Sequence, residues 1–311
     1  MYYVITSGKK KSKIGQNVLE EVENYLTEKK VKFETHISEY KGHTVELAKE
    51  CSSKKDCDAL IAVGGDGTFF EVLNGMNTKV PLGLIPAGTG NDLARTLNIH
   101  FDVKENIDNI LNNEPKYIDY LTLGNMRAFN IIGTGFDLQL LKKEIELRAK
   151  YNSRQSYQKA LLKTILFYKT YKIKFRIDDG EEQAKEVFMV DCCNGIWAGG
   201  MMPMCLDADT EDGYIDFIYV EKFPRIVLLS QLLKFQKKGL LTLKYTHRIK
   251  CKKVHIEIEP QLETELDGEI YDLFPGTVEV VHNDLRYFPS SRLPVDPMTY
   301  IKTKKSRKES L

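Results

Sequence analysis

Two periodicities alternate along the first third of the chain. Apolar runs of strand length at Tyr2 to Thr6, Val31 to Ile37, Ala59 to Val63 and Leu82 to Ile85 are separated by helix-length stretches. Those stretches are Gly15 to Lys30, His43 to Ser52, Phe69 to Met76 and a fourth from about Asp92. Strands and helices in turn predict an α/β layer with a largely parallel sheet. From Ile118 the texture changes to short alternating runs punctuated by Gly and Asp. These are Tyr117 to Leu123, Ala128 to Ile132, Lys172 to Asp178, Val187 to Cys193, Tyr214 to Val220, His255 to Glu259 and Thr277 to Val281. They predict a second, β-rich and sandwich-like domain, with helices near Leu138 to Tyr171 and Ile226 to Lys237 inserted. The fold class is therefore α/β plus β, divided into residues 1–118 and 119–289.

Composition narrows the field mainly by exclusion. With 311 residues, 42% hydrophobic and 29% charged, the chain can bury two cores of ordinary domain size. Forty-five basic against 44 acidic side chains leave a formal charge of +1, so no global field argues for nucleic acid. The six cysteines form no CxxC pair and the six histidines are scattered, which indicates neither a zinc site nor a disulfide framework. The apolar runs are far shorter than the roughly 20 residues a membrane helix needs, and the N-terminus lacks a signal-peptide pattern. A reducing cytoplasm is the expected setting.

The first candidate chemistry lies at a strand end. Ala59 to Val63 runs into Gly64, Gly65, Asp66, Gly67 and Thr68, and a helix follows. Glycines let a backbone approach an anion closely, and the amides of the helix start carry partial positive charge. Thr68 with Glu71 has the spacing of a capping box, predicting that the helix begins there. A second loop, Pro86 to Asp92 (PAGTGND), follows the strand Leu82 to Ile85. Two such loops at one sheet edge form one cleft. Neither is GxxxxGK[ST], and GxGxxG fails at Leu93, as it fails at Leu138 for Gly133 and Gly135.

GGDGT at 64–68 followed by PAGTGND at 86–92 resembles the diacylglycerol and sphingosine kinase catalytic domain, including bacterial lipid kinases. Asn130 to Asp137 (NIIGTGFD), Asn194 to Gly213 and the LDGE at Leu266 to Glu269 extend that resemblance, in order, from Tyr2 to about Phe288. It implies an ATP- and Mg²⁺-dependent kinase of a lipid hydroxyl, with diacylglycerol to phosphatidic acid the leading case. The implied nucleotide site is Thr6, Ser7, Gly8, Ser38, Gly64, Gly65, Asp66, Gly67, Thr68, Gly88 and Thr89. The implied catalytic residues are Glu269 as general base, Asp267 supporting it, and Asp92, which together with Asp66 would link the loops to metal and substrate. The tail 290–311 is implied to return to the first domain. Relatives often carry Asn-Pro where this chain has Val4 and Ile5, and Asn where it has Phe70. NAD kinases also use GGDGT, and an inactive lipid- or nucleotide-binding regulator is the other alternative; the ordered PAGTGND, DG and LDGE series favours the lipid kinase.

Phosphoryl transfer asks the protein for positioning, charge neutralisation and a carboxylate at the attacking hydroxyl, a task that Asp267 and Glu269 suit. The plain alternative is a hairpin, since Asp-Gly is a strong hairpin signal. Asp207, Asp209, Glu211 and Asp212 crowd ahead of Gly213, a spacing compatible with a hard divalent cation. By resemblance Asp212 ligates Mg²⁺, with Asp209 and Tyr214 adding oxygens. Between Lys142 and Lys174 lie ten basic side chains against Glu144 and Glu146, with an apolar stripe that includes Leu161, Leu162 and Phe167. Such a helix can lie on an anionic membrane, or it can pack its stripe on the β domain. The expected partners are thus ATP and a lipid taken from the inner membrane surface, a homodimer being compatible and nucleic acid not expected.

Overall fold

The structure, a computed structural model, describes residues 1–7, 13–148, 150, 153–200, 202–224, 240–242 and 244–290. Gly8, the helix expected at 226–237 and the tail from 291 lie outside the described residues.

The first part runs β1 (Tyr2–Thr6), α1 (Lys13–Glu28), β2 (Phe33–Ile37), α2 (His43–Ser53), β3 (Ala59–Gly64), α3 (Asp66–Gly75), β4 (Leu82–Pro86), α4 (Asp92–Thr96) and α5 (Val103–Asn112). The four strands pair in parallel in the order β2-β1-β3-β4. Side chains alternate across them, and helices cover both faces. Tyr3, Ile5, Leu60 and Ala62 pack with Leu47, Phe69, Val72 and Leu93 of α2, α3 and α4. Val4, Ile61, Val63 and Ile85 pack with Val22, Leu26, Ile107 and Ile110 of α1 and α5. Val4 and Ile5 are thus fully buried core.

The second part runs β5 (Lys116–Leu123), β6 (Met126–Ala128), β7 (Ile131–Gly135), α6 (Phe136–Arg148), α7 (Ser153–Phe167), β8 (Tyr171–Ile177), β9 (Glu182–Cys193), β10 (Trp197–Ala198) and β11 (Met202–Pro203). It continues with β12 (Ile215–Glu221), β13 (Thr246–Cys251), β14 (Lys253–Glu259), β15 (Thr264–Leu266), β16 (Glu269–Tyr271) and β17 (Gly276–Tyr287). These strands are mostly antiparallel and enclose an apolar interior with Ile132, Phe175, Phe217, Leu266 and Val278. On the opposite face of β9 and β12, Phe188, Cys193 and Ile218 pack against Leu140, Leu147 and Ala160 of α6 and α7. Those helices therefore bury one face on the sheet, and they also expose Ile145, Leu162 and Phe167. Among the described residues no helix is long and apolar enough to cross a membrane.

One expectation changes. The run expected over Ala128 to Ile132 is split between β6 and β7, because the backbone at 129–131 turns to donate to a carboxylate described below. The two parts share hydrogen bonds: β17 pairs antiparallel with β5 and, at Tyr287, parallel with Leu82 of β4. Among the described residues one 15-stranded sheet results. Its seam fixes the loops of the first part against the hairpins of the second.

Candidate active site

Parallel strands end together, so the carboxyl ends of β1, β3 and β4 place Ser7 and the two glycine loops, 64–68 and 86–92, side by side. Ser38 follows β2, its N–H donating to the carbonyl of Thr6 at 2.9 Å, and its hydroxyl donates to the carbonyl of Tyr40 at 3.1 Å. The Ser7 hydroxyl bonds that of Thr68, tying the end of β1 to the first turn of α3. That helix begins at Asp66 with Gly65 as its N-cap, so the capping box expected at Thr68 does not form. Thr68 serves the loop contact instead, and a Cβ on Gly64 would collide with it.

The two glycine loops touch backbone to backbone. A Cβ on Gly88 would stand 2.5 Å from the Cα of Gly65, and one on Gly65 2.9 Å from the Cα of Gly88. Only residues without a side chain permit that approach. Asn91, at positive φ, closes the second loop by accepting from the Gly88 N–H at 3.0 Å and donating to its carbonyl at 2.7 Å. The Asp66 carboxylate accepts from the Leu93 N–H at 3.1 Å, joining the start of α3 to the start of α4. Burial raises its pKa, while backbone N–H groups of Leu93, Asn91 and Asp92 oppose the rise. Asp66 thus clamps the loops. Asp92, buried, accepts from the Gly200 N–H at 2.6 Å and has the Arg95 guanidinium 3.5 Å away. Gly67 and Thr89 stand exposed at the mouth.

The LDGE motif enters from the second part. Leu266 and Glu269 pair across a two-residue turn in which Asp267 has φ +47° and Gly268 φ +91°, so the expected Asp-Gly hairpin is present. The motif is more than a turn, however. The Asp267 carboxylate accepts from three backbone N–H groups, Phe129 at 2.6 Å, Asn130 at 2.8 Å and Ile131 at 2.9 Å. Burial nevertheless pushes its pKa up to about 6, against those bonds and aided by the Asp66 charge. Asp267 therefore holds the turn against the 129–131 segment, with both its oxygens engaged. Glu269 follows, half-buried, its oxygen 3.6 Å from where a Cβ on Gly67 would stand. Burial raises its pKa, Lys41 lowers it and Glu71 raises it again. No hydrogen bond from the described residues occupies its carboxylate. Phe70 packs 6.0 Å, ring to ring, from Tyr271, joining α3 to the strand that carries Glu269. The residue that departs from the family pattern is thus a seam contact.

Asp212 pairs with Lys250 and accepts from the Tyr214 N–H at 3.0 Å, Asp209 accepts from the Glu211 N–H at 3.0 Å, and Asp207 pairs with Arg248 at 2.6 Å. Basic side chains and backbone N–H groups thus compensate these carboxylates. Among the described residues no three His, Cys, Asp or Glu side chains gather to hold a metal. The turn is fastened by Asp119, fully buried, which accepts from Gly213 N–H at 2.7 Å and Asn283 N–H at 2.8 Å and bonds His282 at 2.8 Å. Magnesium at Asp209, Asp212 and Tyr214 is an implication of the resemblance. Asp119, Asn91 and Arg95 escaped the sequence reading. Asn91 lies inside the PAGTGND motif; nothing local marks Asp119, whose carboxylate's partners lie 94 and more residues away.

Comparison with known proteins places the chain's two parts. Residues 2–123 match the diacylglycerol kinase catalytic domain, and residues 130–288 match the YegS C-terminal NAD kinase beta sandwich-like domain. A Staphylococcus aureus (strain Newman) protein named "Putative lipid kinase" is 28% identical over 260 residues, 80% of this chain and 84% of that one. The crystal structure of a "putative diacylglycerol kinase" from Bacillus anthracis str. Sterne superposes with a TM-score of 0.77 at 23% identity, covering 93% of this chain and 97% of the other. An Archaeoglobus fulgidus NAD kinase in complex with ATP gives 0.54 at 14% identity, covering 100% and 99%. Taken with the loops and the LDGE hairpin, these matches show that the chain belongs to the lipid-kinase family in which a diacylglycerol kinase catalytic domain precedes an NAD kinase-like β-sandwich domain.

Proposed function

We propose that this protein transfers the γ-phosphoryl group of ATP to the hydroxyl of a lipid, with diacylglycerol to phosphatidic acid as the leading case. The observation that carries the reading is the meeting of Glu269, from one part of the chain, with Gly67 at the N-terminus of α3, from the other. Phosphates fit the amides of Gly64 to Thr68 and the facing Gly88–Thr89 loop, where a helix start favours anions. Thr6, Ser7 and Ser38 border the same edge. The Mg²⁺ that accompanies ATP neutralises phosphate charge when bound. Glu269, its pKa raised by burial, accepts the proton of the lipid hydroxyl as the oxygen attacks the γ-phosphorus. The bond to the β–γ bridging oxygen breaks, ADP leaves, and the proton passes from Glu269 to water. Asp267 and Asp92 hold the elements that carry this geometry. The lipid would be met at a membrane surface.

A second reading, phosphorylation of NAD, is favoured only by the NAD kinase-like fold. One assay separates the two: labelled ATP with Mg²⁺, offered diacylglycerol in mixed micelles or NAD. Labelled lipid product is expected. Label in NAD alone would overturn the proposal.

A further inference from the structure

The connection between β2 and α2 is built more tightly than a link of its length needs. Tyr40, Lys41, Gly42 and His43 make a turn closed by the His43 N–H donating to the Tyr40 carbonyl at 3.2 Å, with Gly42 at φ +88° and ψ −13°. Those angles belong to the third residue of a type II turn, where glycine is favoured. The Tyr40 ring stacks on His43, 4.4 Å between centroids and 4° from parallel, and its hydroxyl donates to Glu46 at 2.6 Å. His43 Nδ1 accepts from the Glu39 N–H at 3.0 Å, and the Ser38 hydroxyl donates to the Tyr40 carbonyl at 3.1 Å. The residues flanking the tip are thus fastened, and Lys41 stands exposed at it. Among the described residues no ion pair engages the Lys41 ammonium.

The turn lies at the carboxyl edge of the parallel strands, where Ser38 bonds Thr6, and faces the second part of the chain. Glu269 on β16 is half-buried there. Burial raises its pKa; Lys41 supplies the strongest charge acting on it and lowers it, while Glu71 of α3 raises it. The other titratable neighbour is the phenol of Tyr271 on the same strand. Desolvation and Glu71 both favour the protonated carboxyl, which cannot accept a proton from a hydroxyl. Lys41 is the charge that opposes them, and it reaches Glu269 from the other side of the cleft on a turn whose geometry is fixed.

Resting on the kinase reading above, we propose that Lys41 is a positioning residue for the catalytic base: its ammonium, held out by the first part, faces the Glu269 carboxylate of the second and keeps it ionised and aimed at the lipid hydroxyl. An unpaired lysine at a turn tip would otherwise be only a solvated charge, without effect on the proton equilibrium of a carboxylate in the other part.

The test uses the full-length protein with diacylglycerol in mixed micelles and compares wild type with Lys41→Met, Lys41→Arg, Glu269→Gln and the Lys41→Met, Glu269→Gln double variant. The rate kcat is followed from about pH 5 to pH 9 at saturating ATP and Mg²⁺. Lys41→Met should move the acid limb to higher pH, making its deficit against wild type at least about threefold larger at pH 5 than at pH 8. Lys41→Arg keeps the charge and should restore the wild-type limb. In the Glu269→Gln background Lys41→Met should cost nothing further, because residues that act through one group do not add. The KM for ATP and the Tm should stay near wild type, since Lys41 is an exposed side chain. A deficit that is parallel at all pH values, or one retained in full in the Glu269→Gln background, would overturn the proposal. So would a loss expressed as a raised KM for ATP, which would make Lys41 a phosphate ligand. Carbon-13 NMR of the Glu269 carboxyl, assigned against Glu269→Gln and recorded without ATP or lipid, reads the pair without turnover. Its titration midpoint should rise in Lys41→Met, and an unchanged midpoint would overturn the proposal. Absence of turnover with every acceptor lipid would remove the kinase reading, while the NMR midpoint would still decide whether Lys41 sets the ionisation of Glu269.

Discussion

Asp267 offers a sharp test of how the LDGE turn is held. Its carboxylate accepts three backbone N–H groups, yet burial lifts its pKa from 3.8 to about 6. A folded-state pKa above the unfolded one means that the folded chain holds the proton more tightly. The stability linked to this group is fully present below about pH 4 and is lost as pH rises through about 6. The size of the effect is up to about 3 kcal/mol. Asparagine keeps the shape and one acceptor oxygen, and it imitates the protonated carboxyl at every pH. Losing the bond from the Phe129 N–H costs about 1–3 kcal/mol, independent of pH. The stability of wild type relative to Asp267→Asn should therefore fall by up to about 3 kcal/mol between pH 4 and pH 7. Urea unfolding followed through Trp197, the single tryptophan and itself buried, measures this at each pH. Activity of the variant should drop, though by less than on removing Glu269, because Asp267 orients the hairpin and does not take the proton. A difference between the two chains that stays flat over this pH range would refute the reasoning, as would a variant as inactive as Glu269→Gln.

Glu269→Gln should lower kcat by about 10² to 10⁴ with little change in the nucleotide-induced Tm rise, and retention of most turnover would exclude Glu269 as the base. Because burial raises the pKa of Glu269, the wild-type rate should fall with decreasing pH at values above the ordinary 4.5 of a glutamate, a limb absent from any residual activity of the variant. Gly88→Ala would set a Cβ 2.5 Å from the Gly65 backbone, which cannot move aside as a side chain would. It should cost about 1–3 kcal/mol of stability and weaken nucleotide binding at least about tenfold, checked by calorimetric titration. Since Lys250 and Arg248 already compensate the acidic turn, millimolar Mg²⁺ without nucleotide should leave Tm unchanged; a rise abolished in Asp212→Ala would restore a metal there.

Local patterns carried the order of elements and the loops. Alternating Tyr3, Val4 and Ile5 serve opposite faces of a covered sheet, as their neighbours in sequence require, and glycines at 64, 65 and 88 stand where backbones must touch. Asp-Gly at 267–268 specified its own hairpin through two positive φ angles. These features follow from periods of two and 3.6 residues and from the steric freedom of glycine, which act over a few positions. Contacts between distant segments were decided only by the tertiary structure. Asp267 meets an N–H group 138 residues away, Lys250 compensates Asp212 across 38 residues, and Glu265, Gly133 and Asp191 form a row only because β7 lies between β15 and β9. Strand register sets which side chains share a face, and desolvation sets which carboxyls keep their protons; both depend on long-range packing that no local spacing encodes.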